Sequence, residues 1–278
     1  MRVVSRFTFA ACRFAARAPP CMHQLLSDDF PVLQRFFTDP TANDPMLRAF
    51  LSGRVPGQAF VDVAGKPAAC AIAVNYRFVF FGGAPSRKFQ EEVLHQLRRQ
   101  QSLDLVWSPV GQRLPYGPKP DKIAARVEFR RRENRGPSHL DTLAAGAPQA
   151  EVKRIDSQNI RRCLWRDDVL RATGSTSEFL GHGLGFCLMV DEAIVAEAYA
   201  VIWSGERAEI ATVTHPQHRG RGYATVLCAS LIKACEGVDL STYWNCDEDN
   251  GTSVRLATRL GYTDVQQYRL LHFERQSG

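Results

Sequence analysis

Between residues 208 and 234 a strand-like run, Ala208 to Val213, meets a strongly apolar stretch, Tyr223 to Ala234. They are joined by the turn Thr214-His215-Pro216-Gln217-His218-Arg219-Gly220-Arg221-Gly222. The pattern predicts a strand, a tight glycine turn and a buried helix, and so a layered fold with helices packed on a sheet. Gly220 and Gly222 let the backbone turn sharply and leave amide N–H groups uncovered. Those amides and the first turn of the helix make an anion nest, reinforced by the helix dipole and by the charges of Arg219 and Arg221. A pyrophosphate is the natural guest. A Rossmann turn is excluded because Thr225 stands where the third glycine belongs, and the Gly-Lys-Ser/Thr of a P-loop is absent. Gly181, Gly183 and Gly185 precede a strand and read as a connecting turn.

At 278 residues the chain is long enough for one large domain or two small ones. Two amphipathic helices are expected between Asp28 and Ser52, followed by a hairpin (Gln58 to Val63, Ala68 to Asn75) and a strand (Arg77 to Phe81). A helix (Ser86 to Gln100) and two strands (Leu103 to Trp107, Ala125 to Arg130) complete this half. The second half repeats the order. Val152 to Ile155 is a strand, and 157–183 is helical with a break near Gly174. Gly185 to Val190 and Ile194 to Trp203 form a hairpin, and Arg207 to Thr214 a strand. Gly222 to Glu236 is a helix, Leu240 to Asn245 a strand, Gly251 to Leu260 a helix and Gln267 to Phe273 a strand. This points to a tandem of one fold: residues 1–27 a leader, 28–135 a first domain, 136–149 a Gly/Pro/Ala/Ser linker, and 150–278 a second domain. The leader is rich in Arg and free of acid before Asp28, as in an organelle transit peptide, with Met22 a competing start; it is expected to be disordered or spurious.

The 45% apolar and 23% charged residues are ordinary for a globular protein. No run approaches the roughly 18 apolar residues of a membrane helix, and Ile194 to Trp203 is interrupted by Glu197. A soluble, cytoplasmic protein is expected. The net charge of +6 is uneven: residues 1–149 carry 21 Lys and Arg against 12 Asp and Glu, and the remainder 14 against 17. The densest basic cluster, Arg126, Arg130, Arg131, Arg132 and Arg135, reads as a solvated strand end, since no nucleic-acid-reading motif accompanies it. The eight cysteines show no C-x-x-C spacing and are read as reduced, without metal. His215 and His218 are read as loop histidines, with no third ligand nearby.

Gln217-x-x-Gly220-x-Gly222 resembles the acyl-CoA motif Q/R-x-x-G-x-G/A of the GNAT N-acetyltransferase superfamily. Asn250-x-x-Ser253-x-x-x-Ala257-x-x-x-Gly261-Tyr262 is similar to that superfamily's closing motif, N-x-x-A-x-x-x-Y-x-x-x-G-F. The resemblance covers about Glu151 to Phe273. Within the superfamily, phrases such as Thr-His-Pro-x-x-Arg-Gly and Trp244-Asn245-Cys246-Asp247 read like the subgroup whose namesake acetylates the aminopolyol antibiotic zwittermicin A. The resemblance implies an α/β (α+β) fold with a mixed, mostly antiparallel sheet flanked by helices. The first half, with Gly82-Gly83-Ala84-Pro85 at the equivalent place, would be a degenerate copy without cofactor.

It also implies an N-acetyltransferase using acetyl-CoA on a primary amine of a small molecule. Val213 and Thr214 would offer backbone hydrogen bonds to the acetyl carbonyl and pantetheine. The amides of Arg219, Gly220, Arg221, Gly222, Tyr223, Ala224 and Thr225 would hold the pyrophosphate, Gln217 and His218 belong to the same cofactor-binding segment, and Asn250 would contact the pantetheine arm. A carboxylate must take the ammonium proton. Glu209 is the first candidate, against a reading as a solvent-open or edge-strand glutamate, and Glu197 the second. Asp247, Glu248 and Asp249 could attract a cation, although Asp249 or Asn250 is expected to cap the next helix. Ala257 stands where the family's usual acid, a tyrosine, would be; Tyr223, Tyr262 or water could substitute. The alternatives are a protein or peptide N-acetyltransferase and a non-catalytic acyl-CoA sensor. No metal, nucleic acid or membrane partner is expected.

Overall fold

The computed structural model describes residues 22–38, 41–107, 118–131, 137–147, 150–173, 175–204 and 207–276. The first half comprises β1 (His23–Gln24), a 3-10 helix (Ser27–Phe36), α1 (Asp44–Leu51), β2 (Gly57–Val61), β3 (Ala69–Val74), β4 (Phe78–Gly83), α2 (Arg87–Arg98), β5 (Leu103–Trp107) and β6 (Lys122–Arg131). After α3 (Pro137–Ala144) come β7 (Glu151–Arg154), a short 3-10 turn, α4 (Arg166–Thr173), α5 (Thr176–His182), β8 (Leu184–Val190), β9 (Ala193–Ser204) and β10 (Arg207–Thr214). The chain ends with α6 (Tyr223–Glu236), β11 (Ser241–Asp247), α7 (Gly251–Arg259) and β12 (Tyr262–Phe273). None of the helices described is long and apolar enough to cross a membrane.

All twelve strands among the described residues join one sheet in the order β1-β2-β3-β4-β5-β12-β6-β11-β10-β9-β8-β7. Its neighbours are antiparallel except for β4–β5 and β10–β11, which are parallel. The order reads the same from either edge when β1–β6 are exchanged for β7–β12. The symmetry carries an exchange: β6, from the first half, pairs with β11, and β12, from the second, pairs with β5. Helices α2, α3, α6 and α7 cover one face, and α1, α4 and α5 the other.

Local sequence explains the hairpins. The β8–β9 turn places Asp191 and Glu192 at φ of 47° and 63°, the left-handed pair that matches strand twist in a two-residue loop. The differences from expectation are tertiary. Residues 1–21 of the expected leader lie outside the described residues; of the rest, His23 and Gln24 pair with Val61 and Phe60, and Met22 packs on the apolar core under α2. The expected linker contains α3, whose Leu140 is fully buried and whose Leu143 packs on the core beneath α6. Strand β12 begins five residues earlier than its apolar pattern indicates, because β6 pairs with the polar stretch from Tyr262 onward. The basic cluster is no solvated strand end where it is described. Arg126 bonds Asp247, Asn245 and Tyr268; Arg130 bonds Glu128 and Gln266; Arg131 pairs with Glu236.

Candidate active site

Strands β10 and β11 are paired only from Arg207↔Ser241 to Glu209↔Tyr243. Beyond Glu209 they diverge, because β10 stays with β9 to Thr214 while β11 follows β6 to Asp247. The fork opens a cleft of about 690 Å³, walled by β10 residues 209–214, β11 residues 244–247 and the start of α6. Ala208, Ile210, Trp244 and Cys246 point into the core under α6. The pleat therefore turns Glu209, Tyr243, Asn245 and Asp247 to the opposite face. Register against β9 shifts between Ala208 and Ile210, beside Glu209, the kind of irregularity that re-aims a side chain.

Glu209 is half-buried on an interior strand, which rules out the edge-strand reading. The Tyr243 hydroxyl, on a residue only 2% exposed, donates to its Oε2 at 3.0 Å. Burial pushes the Glu209 carboxyl above the ordinary range, the Tyr243 hydrogen bond and the Arg126 charge pull it back, and Glu128 adds to the rise. Glu197 serves a different purpose. Fully buried, it accepts the N–H groups of Leu164 and Trp165 and the Tyr199 hydroxyl. Both its oxygens are occupied, and it anchors Trp165, which lines the cleft.

At the mouth, Gly220 and Gly222 have φ of +77° and +79°, and a Cβ on either would meet no atom within 4 Å. Gly222 caps α6 in the left-handed conformation, and its carbonyl accepts the N–H groups of Thr225 (3.0 Å) and Val226 (3.2 Å). The Thr225 amide is thus committed to the helix, whereas Tyr223 and Ala224, ahead of it in the first turn, have no carbonyl four residues back within the helix to bond. Arg219 Nε donates to the Thr214 carbonyl at 3.2 Å. Of the residues expected from sequence, Glu209, Val213, Thr214, His218, Arg219, Gly220, Gly222, Tyr223, Ala224, Thr225 and Asn250 line this cleft together. Gln217 and Arg221 are exposed and lie off its lining. Asn250 Oδ1 accepts the Ser253 N–H at 3.1 Å and so caps α7 while bordering the cleft.

Ala257 is buried in the core. Of the tyrosines weighed as substitutes, Tyr262 is also buried, its hydroxyl donating to Thr242 at 2.7 Å, whereas Tyr223 lines the cleft with its ring stacked on His218. The sequence pattern missed Tyr243, Trp165 and Arg126. Nothing in their local sequence marks the tyrosine or the tryptophan as a site residue. Arg126 reaches the cleft only through the pairing of β6 with β11, for which no local signal exists.

The first half has a matching fork, since β4 and β5 pair only at Phe78↔Asp104 and Val79↔Leu105. Aromatic side chains fill it, leaving about 260 Å³. A Cβ on Gly82 would fall 2.7 Å from Phe37 and 2.9 Å from Phe36. The entry to α2 is the short Ala84-Pro85-Ser86, with Ser86 Oγ capping the helix through the Phe89 N–H where a left-handed glycine caps α6.

A mixed sheet splayed at a parallel pair, with a glycine-rich turn feeding a helix at the mouth of the split, defines a GNAT-type acyltransferase fold. Residues 34–271 match the GNAT acetyltransferase family model, and the chain belongs to that family. A GCN5-related N-acetyltransferase-like protein from Streptococcus suis superposes with a TM-score of 0.64 at 22% identity, over 87% of this chain and 98% of that one. A tandem GNAT protein from the clavulanic acid biosynthesis pathway superposes with a TM-score of 0.63 at 13% identity, over 92% and 99%. In sequence, the chain is 30% identical over 98 residues to the uncharacterized N-acetyltransferase YdfB of Bacillus subtilis. That match covers 35% of this chain and spans 38% of the relative's length.

Proposed function

We propose that this chain is an acetyl-CoA-dependent N-acetyltransferase acting on a primary amine of a small molecule, with residues 150–278 carrying the reaction and the first half a degenerate copy of the same fold. One observation carries the reading: a half-buried carboxylate, Glu209, sits at the apex of a fork whose mouth is an open glycine-rich anion nest. The nest fits a pyrophosphate. Gly220 and Gly222 leave free space, the Tyr223 and Ala224 amides have no carbonyl four residues back within the helix, and the buried Nδ1 of His218 has no partner among the described residues. The palindromic strand order supports the two-copy reading, and the filled fork supports a first half without acetyl-CoA. The phrases around Thr214 and Trp244 support kinship with the zwittermicin A resistance-type subgroup. The six described cysteines are free, which fits a reducing compartment such as the cytoplasm.

Acetyl-CoA supplies the activated acetyl thioester. The chain's own residues prepare the amine. Glu209 accepts a proton from the ammonium and frees the nitrogen lone pair for attack; a C–N bond forms as the C–S bond breaks. Tyr243 keeps the carboxylate oriented. The backbone of Val213 and Thr214 fixes the donor beside it, and holding both reactants in one cleft supplies the entropic advantage. Tyr223, which lines the cleft, is the tyrosine that would meet the departing thiolate.

Calorimetry with acetyl-CoA, followed by thiol release on a panel of small amines and peptides, tests this function. Binding with turnover on a small amine is expected, and Glu209→Gln should lose turnover while keeping acetyl-CoA affinity. Turnover on peptides alone would make the acceptor a protein, binding without any turnover would make the chain a sensor, and full activity of Glu209→Gln would remove the base.

A further inference from the structure

Arg126 lies on β6, a strand of the first half, yet it lines the cleft of the second. Its Cα is in register with Asp247, the last residue of β11. Nη1 donates to Asp247 Oδ1 at 2.8 Å, Nη2 to Asn245 Oδ1 at 3.2 Å, and Nε to the Tyr268 hydroxyl at 3.3 Å. Tyr268 in turn donates to Asn245 Oδ1 at 2.7 Å. The guanidinium thus ties together β6, β11 and β12 where β11 has already left β10. No hydrogen-bonded register joins β10 to β11 along this stretch, so the outer arm of the fork is held from the β6 side.

We propose that Arg126 is a positioning residue of the acetyl-transfer site, holding the outer arm of the fork and supplying the positive charge that faces Glu209, so that the cleft is complete only with a strand lent by the other half. The proposal rests on the reading of Glu209 as base. The groups around Glu209 are Tyr243 on β11, Arg126 and Glu128 on β6, and Tyr268 on β12, with Asp247 paired to Arg126 and His218 bordering the same cleft. Glu128 is largely satisfied by the Asn43 N–H at 2.8 Å and by Arg130 Nε at 3.3 Å. The Arg126 charge acts on Glu209 against burial, drawing the raised carboxyl back toward the ordinary range.

The test is the pH dependence of kcat and KM for the full chain carrying Arg126→Gln, Arg126→Lys or Glu209→Gln, with acetyl-CoA affinity measured by calorimetry. Arg126→Gln should move the acid limb of kcat up by about one pH unit, lowering the rate about ten-fold below the limb, with acetyl-CoA affinity kept within about two-fold. Arg126→Lys should restore the limb but leave KM raised, because a single ammonium cannot reproduce the fork of bonds. An unmoved limb in Arg126→Gln overturns the proposal, as does a limb that Lys fails to restore. Should Arg126→Gln fail to fold, Asp247→Asn carries the test: it frees the Arg126 charge, and the limb should fall. A limb that rises or stays overturns the inference. Glu209→Gln separates the two levels. If it keeps full turnover, the base reading itself fails; if it is inactive while Arg126→Gln leaves the limb in place, only the role of Arg126 fails.

Discussion

Tyr243→Phe removes a single oxygen from the apex of the fork, and its consequence can be worked out from the geometry. The hydroxyl lies 3.0 Å from Glu209 Oε2, and Tyr243 is 2% exposed, so phenylalanine leaves that side of the carboxylate without its donor. A hydrogen bond to a charged group contributes about 1.5–3 kcal/mol, and about 1.4 kcal/mol corresponds to one pKa unit. The bond favours the ionised form, so its loss lifts a carboxyl that burial already holds above the ordinary range. The acid limb of the pH–kcat profile should therefore move up by about 1–2 units, with the plateau above it retained. The ring stays, so packing is preserved. Rates from pH 5 to 9 at saturating acetyl-CoA, with thermal unfolding to confirm folding, provide the measurement. A limb that stays or moves down would refute the assignment of Glu209 as the titrating base held by Tyr243.

Three further outcomes follow from the same geometry. Because the folded-state pKa of Glu209 is raised, its burial is tolerated below the ordinary carboxylate pKa and costs stability as pH rises toward the folded value. Denaturant titrations should show Glu209→Gln gaining on the wild type across that window, and a loss there would contradict the burial argument. Gly222→Asp forces a left-handed conformation on a residue with a Cβ and puts a carboxylate in the nest; acetyl-CoA affinity should fall on the order of 100-fold, and unchanged calorimetric affinity would sink the nest. Since Phe36 and Phe37 fill the first fork, calorimetry should give one acetyl-CoA per chain. Two equivalent sites would overturn that reading.

The central unit was legible because everything it needs lies within one window. The strand period, the glycines and the apolar helix of residues 208–234 determine β10, the turn and α6, and the structure returns β10 with the expected ends. Glu209 could be picked as a candidate, since its place on that strand follows from the pattern. Its partner could not, because the contact with Tyr243 depends on which strand lies beside β10. Likewise Gly136 to Pro148 has the composition of a linker, and only the apolar surface of α6 makes a helix of its middle.

The amino-acid sequence by itself determined the strand–turn–helix unit, the matching order of elements in the two halves, and the glycines and arginines gathered in one turn. Tertiary structure alone decided that the halves exchange their last strands, bringing Arg126 to Tyr268, 142 residues away, and into the cleft. The physical reason is range. Turns and helices are settled by residues a few positions apart, whereas a strand's neighbour is settled by pairing between distant segments, and a run such as Ala125 to Arg130 carries nothing that names its partner.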